Sequence, residues 1–459
     1  MKNRNIIIIF LIAMIFSTKA MEAQNENALK LRGYLQTDQR MLLKSPNDWA
    51  WNENRLSVKL EKKMKGKAKF YSEVWLRNIG LPNIVHSSDL YNKNILSPWN
   101  LEIREAYVEI YGLFSKNLDV KIGRQRIAWG TADKFNPTDN VNPYDFEDIL
   151  DFGRHRGSDA VTLNYYFSSD YSLQSVFVPF FQPDNLPVGM FANLLNMNME
   201  LPQGLVLKSF TDQVSTPRYN IGESSTAGLK FKGFARGVDF SFSYLWGHDG
   251  LPFDAYNTLV PFDTLGGVSV NAQLYFPRTH IFGFDFATSL GGVGLWGESA
   301  VFLPEHKHVM TTDVSALYPA SPVPVMIDSV MLDKKPYAKF VLGADYSFAN
   351  NSYLNIQYLH GFVNESGSKN LNDYVVLRYE MKFFEDKLKV APISGGAVVT
   401  DWKNVKNNYA IFYVPQITYM ATDNVELDLT AGIFSGKGDN LFAKLADYNM
   451  LMFKMKYSF

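Results

Sequence analysis

The sequence predicts an all-β fold, a transmembrane antiparallel β-barrel, on three observations. The last segment alternates without a break, the first is a cleavable export signal, and period-two stretches recur between them with almost no helical periodicity. From Asp447 to Phe459 the chain sets Leu451, Phe453, Met455, Tyr457 and Phe459 on one face and Met452, Lys454, Lys456 and Ser458 on the other. Oil on one side, water on the other and an aromatic last residue describe the closing strand of an outer-membrane barrel. That strand, ending at Phe459, is the expected contact for the barrel-assembly machinery.

At the other end, Lys2 and Arg4 precede an apolar run from Ile6 to Phe16, followed by small residues at Ser17, Thr18, Ala20 and Ala23. This is the pattern of a Sec signal peptide over 1–23, cut after Ala20 or Ala23. The run falls short of the ~20 residues a bilayer-crossing helix needs, and no later stretch reaches that length without charges. Residues 24–459 then make one barrel surrounded by outer-membrane lipid, with no linker or composition shift dividing them.

The absence of Cys excludes lipoprotein acylation, disulfides and thiolate metal sites. The 45 Lys and Arg balance 46 Asp and Glu, so no global field draws nucleic acid, and any electrostatic selectivity is local. The 25 Tyr and 34 Phe exceed the needs of a soluble core and would furnish two aromatic girdles.

In chain order, strands are expected near 28–41, 52–62, 66–77, 102–112, 117–126, 157–167, 171–180, 224–233, 237–247, 279–290, 293–303, 337–348, 353–361, 371–383, 387–400, 407–419, 422–434 and 447–459. Each rests on alternation. Leu56, Val58 and Leu60 oppose Arg55, Ser57, Lys59 and Glu61; Val238, Phe240, Phe242, Tyr244 and Trp246 oppose Asp239, Ser241 and Ser243; Val425, Leu427, Leu429, Ala431 and Ile433 oppose Glu426, Asp428, Thr430 and Gly432. Polar faces so rich in charge suit a lumen, and the mixed signs of Lys59, Glu61, Lys69, Glu73, Lys121, Glu298, Asp345, Glu426 and Asp428 argue against strong ion selectivity.

The count is about 18, even as bacterial barrels require, with about 16 as the alternative. Connections sort by parity. Tight turns fall at 64–65, 168–170, 235–236, 291–292, 350–352, 385–387 and 421–424, whereas 78–101, 127–156, 181–223, 248–278, 304–336 and 435–446 are long and share the external side. The 248–278 connection has room for another hairpin, which would shift the count.

The densest polar segment runs Gly123-Arg124-Gln125-Arg126-Ile127-Ala128-Trp129-Gly130, continues through Asp133, Asn136, Asp139, Asn142 and Asp145, and closes at Arg154-His155-Arg156. A long connection this rich in Asn, Asp and Arg at a strand end suits a loop folded into the lumen as a constriction. Its arginines offer planar donors to a carboxylate or phosphate; equally, Arg–Asp pairs can simply pin a loop to the wall. The expected substrate-contact or constriction residues are Arg124, Gln125, Arg126, Trp129, Asp133, Asp139, Asn142, Arg154 and Arg156. By alternation, Arg124 and Arg126 cannot share a face with Gln125.

The runs GRQRIAWGTADKFNPTDNVNP and GIFSGKGDNLFAKLADYN resemble an outer-membrane barrel family of unassigned function. That family is distantly similar to the alginate-export porins and often accompanies RND-type lipid exporters, and the chain is similar to Bacteroidetes-like members. The matching positions are Gly123, Arg124, Gln125, Trp129, Gly130, Asp133, Asp139, Asn142 and Pro143. The resemblance implies a transport channel for a hydrophobic or anionic substrate, lipid-like or an acidic polymer, partnered by an inner-membrane RND-type exporter and a periplasmic carrier.

Two other functions share this fold: a general or carbohydrate-uptake porin, and a surface receptor or adhesin using loops 181–223 and 304–336. A TonB-dependent receptor fits poorly, because it needs an N-terminal plug and about 22 strands. No reaction and no cofactor is expected. None of the seven His sits in a nucleophile-like motif, and Glu305, His306 and His308 read as a solvated loop rather than a metal site. Gly432, Gly436, Gly438 and Asp439 read as an outer-rim loop rather than a phosphate cradle.

Overall fold

The computed structural model describes residues 28–459 apart from 45–47, 81–83, 193, 196–200 and 202–203, so the signal-peptide reading lies outside the described residues. In chain order the strands are β1 (Lys30–Leu42), β2 (Trp49–Met64), β3 (Ala68–Ile79), β4 (Trp99–Ile110), β5 (Leu118–Gln125), β6 (Ser158–Tyr166), β7 (Tyr171–Val178) and β8 (Val206–Ser215). Next come β9 (Thr226–Ala235), β10 (Val238–His248), β11 (Phe253–Pro261), β12 (Gly267–Tyr275), β13 (Arg278–Leu290), β14 (Val293–Pro304), β15 (His308–Asp313) and β16 (Met326–Leu332). The last are β17 (Tyr337–Ser347), β18 (Tyr353–His360), β19 (Asp373–Phe383), β20 (Leu388–Val399), β21 (Tyr409–Tyr413), β22 (Gln416–Thr422), β23 (Val425–Lys437) and β24 (Met450–Ser458).

The wall is a closed barrel of 18 antiparallel strands, with β21 and β22 together forming one of them. It closes where β24 pairs with β1, Tyr34 opposite Ser458 and Leu42 opposite Met450. The expected strand at 407–419 is broken because Pro415 has no N–H for the ladder, and Pro392 lies in the gap where the facing β20 goes unpaired. Thus β20 pairs with β22 over 388–391 and with β21 over 395–399.

The 248–278 connection does hold a hairpin, β11 with β12, but it stands outside the wall and leaves the count unchanged. It forms the centre of a second sheet ordered β16-β15-β11-β12-β8. The long loops 181–223 and 304–336 carry strands of this sheet: β15 and β16 pair antiparallel within 304–336, while β8 joins β12 and β15 joins β11 in parallel, long-range pairings that no local turn announces.

Alternation decides the two faces of the wall. Leu35, Leu76, Ile122, Phe242, Phe282, Leu342, Ile356, Ile411 and Phe453 are exposed on the outside, whereas Asp38, Arg40, Glu53, Arg55, Arg77, Arg104, Lys230, Asp285, Glu298 and Asp428 are buried within. No helix of the described residues is long and apolar enough to cross a membrane; the strands do so. Every wall N–H and C=O can pair with a neighbour in a closed ring, which is what hydrocarbon demands, and the apolar outer band places the protein in the outer membrane.

Candidate functional site: an inward-folded loop between β5 and β6

The connection leaving β5 touches opposite sides of the ring. On the β14 side, Gly130 has φ +94° and a Cβ there would lie 2.4 Å from Glu298 Oε1, so only glycine lets the backbone close on that carboxylate. Glu298 accepts bonds from the backbone N–H of Thr131 at 2.5 Å and of Ala132, from Asn136 Nδ2 at 2.9 Å and from Thr138 Oγ1 at 2.9 Å.

Across the ring, β1 to β4 present a row of arginines. Arg40 donates to Asp148 at 2.8 and 2.5 Å and to Asp38 at 3.0 and 2.9 Å. Arg77 is paired with Glu147 and donates to Glu102 at 2.6 Å. Arg104 donates to Asp145 at 2.9 Å and to the His155 carbonyl at 2.7 Å, its guanidinium 4.2 Å from the Trp75 ring centre. Arg55, paired with Glu53, lies over the same ring at 3.9 Å from its centre. Arg154, from the loop itself, lies 3.1 Å from Asp145 and 3.7 Å from both Glu147 and Asp151. These cations meet a slight excess of carboxylates, so the cluster carries no surplus positive charge for an anion. Although burial opposes ionisation of Asp145, Arg154 and Arg104 beside it hold its carboxyl down at about 2. For Asp148, burial is likewise outweighed by Arg40, and its carboxyl lies below the usual range.

Between the two anchors lies an apolar plug. Phe146 and Ile149 from the loop, together with Phe191, Leu194 and Phe362 from neighbouring connections, pack against Trp51, Trp296, Val341, Leu359, Val398, Ala410 and Phe434 of the wall. The segment before the last strand, expected at the outer rim, turns inward instead. Asn440 caps the short helix Leu441–Lys444 by accepting from Ala443 N at 2.8 Å, and Phe442 stacks on Phe412 with centres 4.3 Å apart. The two sequence runs that carried the family resemblance thus meet in one core, because their aromatics, unlike an exposed loop's, are more stable out of water.

The expected site residues divide. Gln125 faces inward, fully buried, accepting from Thr162 Oγ1 at 2.9 Å. Arg126 is paired with Asp139 and donates to Asn142 at 3.2 Å; Asn142 in turn accepts from Ile127 N at 2.6 Å. Trp129 is not a lining wall but a buried wedge among Ile127, Val176, Val178 and Leu245, its Nε1 donating to Gln174 at 2.7 Å. Arg156 donates to the Pro183 carbonyl, and Asp133 sits on the loop three residues past Gly130. Arg124 departs from the expected cluster: it shares the outward face with Ile122 and pairs with Asp159 at 3.1 Å. Sequence reading missed Arg40, Arg55, Arg77 and Arg104. For three of the four the signal was present in the two-residue spacing of Asp38 and Arg40, Glu53 and Arg55, and Glu102 and Arg104.

Beside the plug a small cavity of about 80 Å³ is bounded by Tyr144, Phe181, Leu245, Ile281, Phe302 and Tyr337, with Asp184, His248, Asp249 and Lys339 among them. Loss of solvent around Asp184 pushes its carboxyl up to about 8, and the same cause raises Asp249. Asp184 accepts from Tyr144 N at 2.7 Å, which ties this cavity to the inward loop.

A family model described as a protein of unknown function (DUF1302) matches residues 96–412. No curated protein matches the chain. Similar solved structures include a loop-L8 deletion mutant of OmpT, an outer membrane protein of Vibrio cholerae, at 9% identity and TM-score 0.42, covering 95% of this chain and 100% of that one. Salmonella typhi OmpF in complex with daunomycin is similar at 11% identity and TM-score 0.42, covering 96% and 100%. A mutant of the Rh. blastica porin is similar at 12% identity and TM-score 0.39, covering 94% and 100%.

Proposed function

We propose, from the premise that this chain belongs to the DUF1302 family of proteins of unknown function, that it is an outer-membrane channel whose inward loop is a movable closure for an apolar or amphiphilic substrate. One observation carries this reading: the loop is held to the arginine row by ion pairs and to the centre of the lumen by apolar contacts, two kinds of bond that a greasy substrate and a pull on the loop can replace. An anionic polymer is the weaker choice, because every arginine of the row already has a carboxylate. The neighbouring cavity mixes aromatic and aliphatic residues such as Phe181, Leu245 and Phe302 with polar ones such as Asn142, Asp184 and His248, so apolar and polar groups meet beside the loop. Export in company with an inner-membrane RND-type exporter and a periplasmic carrier follows from the family resemblance, and no reaction is assigned.

The test is current through the purified protein in planar bilayers, with residues 131–152 intact or replaced by a short Gly-Ser linker. Small current that rises steeply on replacement supports a loop-closed channel. A large steady current from the intact protein would sink this reading in favour of a general porin.

A further inference from the structure

The outer face of the barrel is not uniform. On β10 and β13 it is a wall of aromatics, with Phe242 opposite Phe284 and Tyr244 opposite Phe282. On the far side of the ring, toward the external end and just inside the outward Met41–Trp49 pair, the outward positions of β1, β2 and β3 are Thr37, Gln39, Asn52, Asn54 and Asn78. They form one patch: Gln39 lies opposite Asn52, Thr37 opposite Asn54, and Asn54 opposite Asn78. Gln39 Nε2 donates to Thr37 Oγ1 at 2.9 Å and to Asn52 Oδ1 at 2.8 Å, while Asn78 Nδ2 reaches the Pro98 carbonyl at 3.0 Å. Among the described residues nothing donates to Gln39 Oε1, Asn54 Oδ1 or Asn78 Oδ1.

The patch sits on the membrane side of an outer aromatic level. Trp49, opposite Met41, is one outward pair beyond the Gln39–Asn52 pair, and Trp99 lies level with Asn78; both tryptophans are more than half exposed. Below it the same strands return to Leu35, Leu56 and Leu76. Neutral amides facing hydrocarbon leave hydrogen-bonding capacity unused where no water can take it up, so a row of them marks a surface that something polar covers.

We propose that this face of β1–β3 is where a second copy of this chain docks, amide against amide, about a symmetry axis along the membrane normal. Two features choose that occupant. Each amide is both donor and acceptor, so the row is complementary to itself, and copies inserted with the same orientation bring the same residues to the same depth. A lipid phosphate would need cations, yet the outward face of β1, and of β2 and β3 from Asn52 to Leu60 and Phe70 to Asn78, holds no charged residue.

The chain has no Cys, which makes single-cysteine cross-linking clean. Asn54→Cys, and separately Gln39→Cys, would be treated in intact outer membranes with a short bis-maleimide, with Phe242→Cys as the aromatic-face control. The expected result is a band at a multiple of the monomer mass for either patch variant, containing only this chain, and monomer alone for the control. Patch cysteines that react with a lipid-soluble maleimide yet stay monomeric, or that couple to a different protein, would overturn the proposal. A folded Gln39→Leu, Asn52→Leu, Asn54→Leu variant supplies a second reading: it should run as monomer in a mild-detergent native gel where the parent runs larger, and an unchanged oligomer would overturn the same proposal.

Discussion

Replacing Asp145 by Ala removes the one carboxylate shared by Arg104 and Arg154, which approach it at 2.9 and 3.1 Å. Arg104 keeps the His155 carbonyl and the more distant Glu102, but Arg154 is left with partners at 3.7 Å. Removing one member of a buried ion pair costs about 3–5 kcal/mol. That cost falls on the closed arrangement alone if the loop swings out into water when the channel opens. At ~1.4 kcal/mol per factor of ten, the open-to-closed ratio rises by roughly one hundred-fold to several thousand-fold. Single-channel recording reads this directly as open probability, and Asp145→Asn, similar in shape but without charge, should move it in the same direction. The sign of the pH effect follows from the depressed carboxyl. With a free-chain value of 3.8 and a folded value of about 2, the anchoring is complete above 3.8 and is lost as pH falls through about 2, so the native channel should open only in strong acid. A folded, heat-modifiable Asp145→Ala protein with native current at neutral pH would refute the idea that these pairs hold the channel shut.

Other substitutions probe separate parts of the site. Arg124→Ala should leave conductance and selectivity unchanged in bilayer recordings, since its side chain is on the outer face, whereas Arg126→Ala strands Asp139 and should raise current noise. Trp129→Ala should destabilise the folded barrel by about 3–5 kcal/mol, seen as loss of the unheated fast-migrating band at a lower temperature. Gly228→Val should mimic it, because even a Cβ there would lie 2.7 Å from Trp129 Cη2. Asp184 has the opposite pH sign to Asp145: its raised carboxyl contributes stability that is complete below 3.8 and lost as pH rises through about 8. Thermal melting should therefore weaken toward pH 9, and Asp184→Asn should flatten that limb of the profile.

The inward and outward sides of the wall were legible along most strands, because a strand's side chains alternate and a membrane sorts them by polarity. Arg55, Ser57 and Lys59 could be assigned to the lumen and Leu56 and Val58 to lipid from spacing alone. Arg124 shows the limit of the same rule. Alternation said that it and Gln125 must part, but not which way, and Gly123, at φ +124° against the Tyr107 backbone, sits where the strand is about to leave the wall.

By itself the sequence determined compartment, wall and strand number, since period two, turn residues and a closing aromatic strand are local properties read one segment at a time. Only the tertiary structure decided what fills the wall. The inward loop, the short helix at Leu441–Lys444 and the arginines of β1–β4 lie far apart in the chain, and nothing local tells a long loop to fold in rather than out. Their meeting is fixed by partners: carboxylates that need buried arginines, and phenylalanines that leave water only when several connections contribute to one plug.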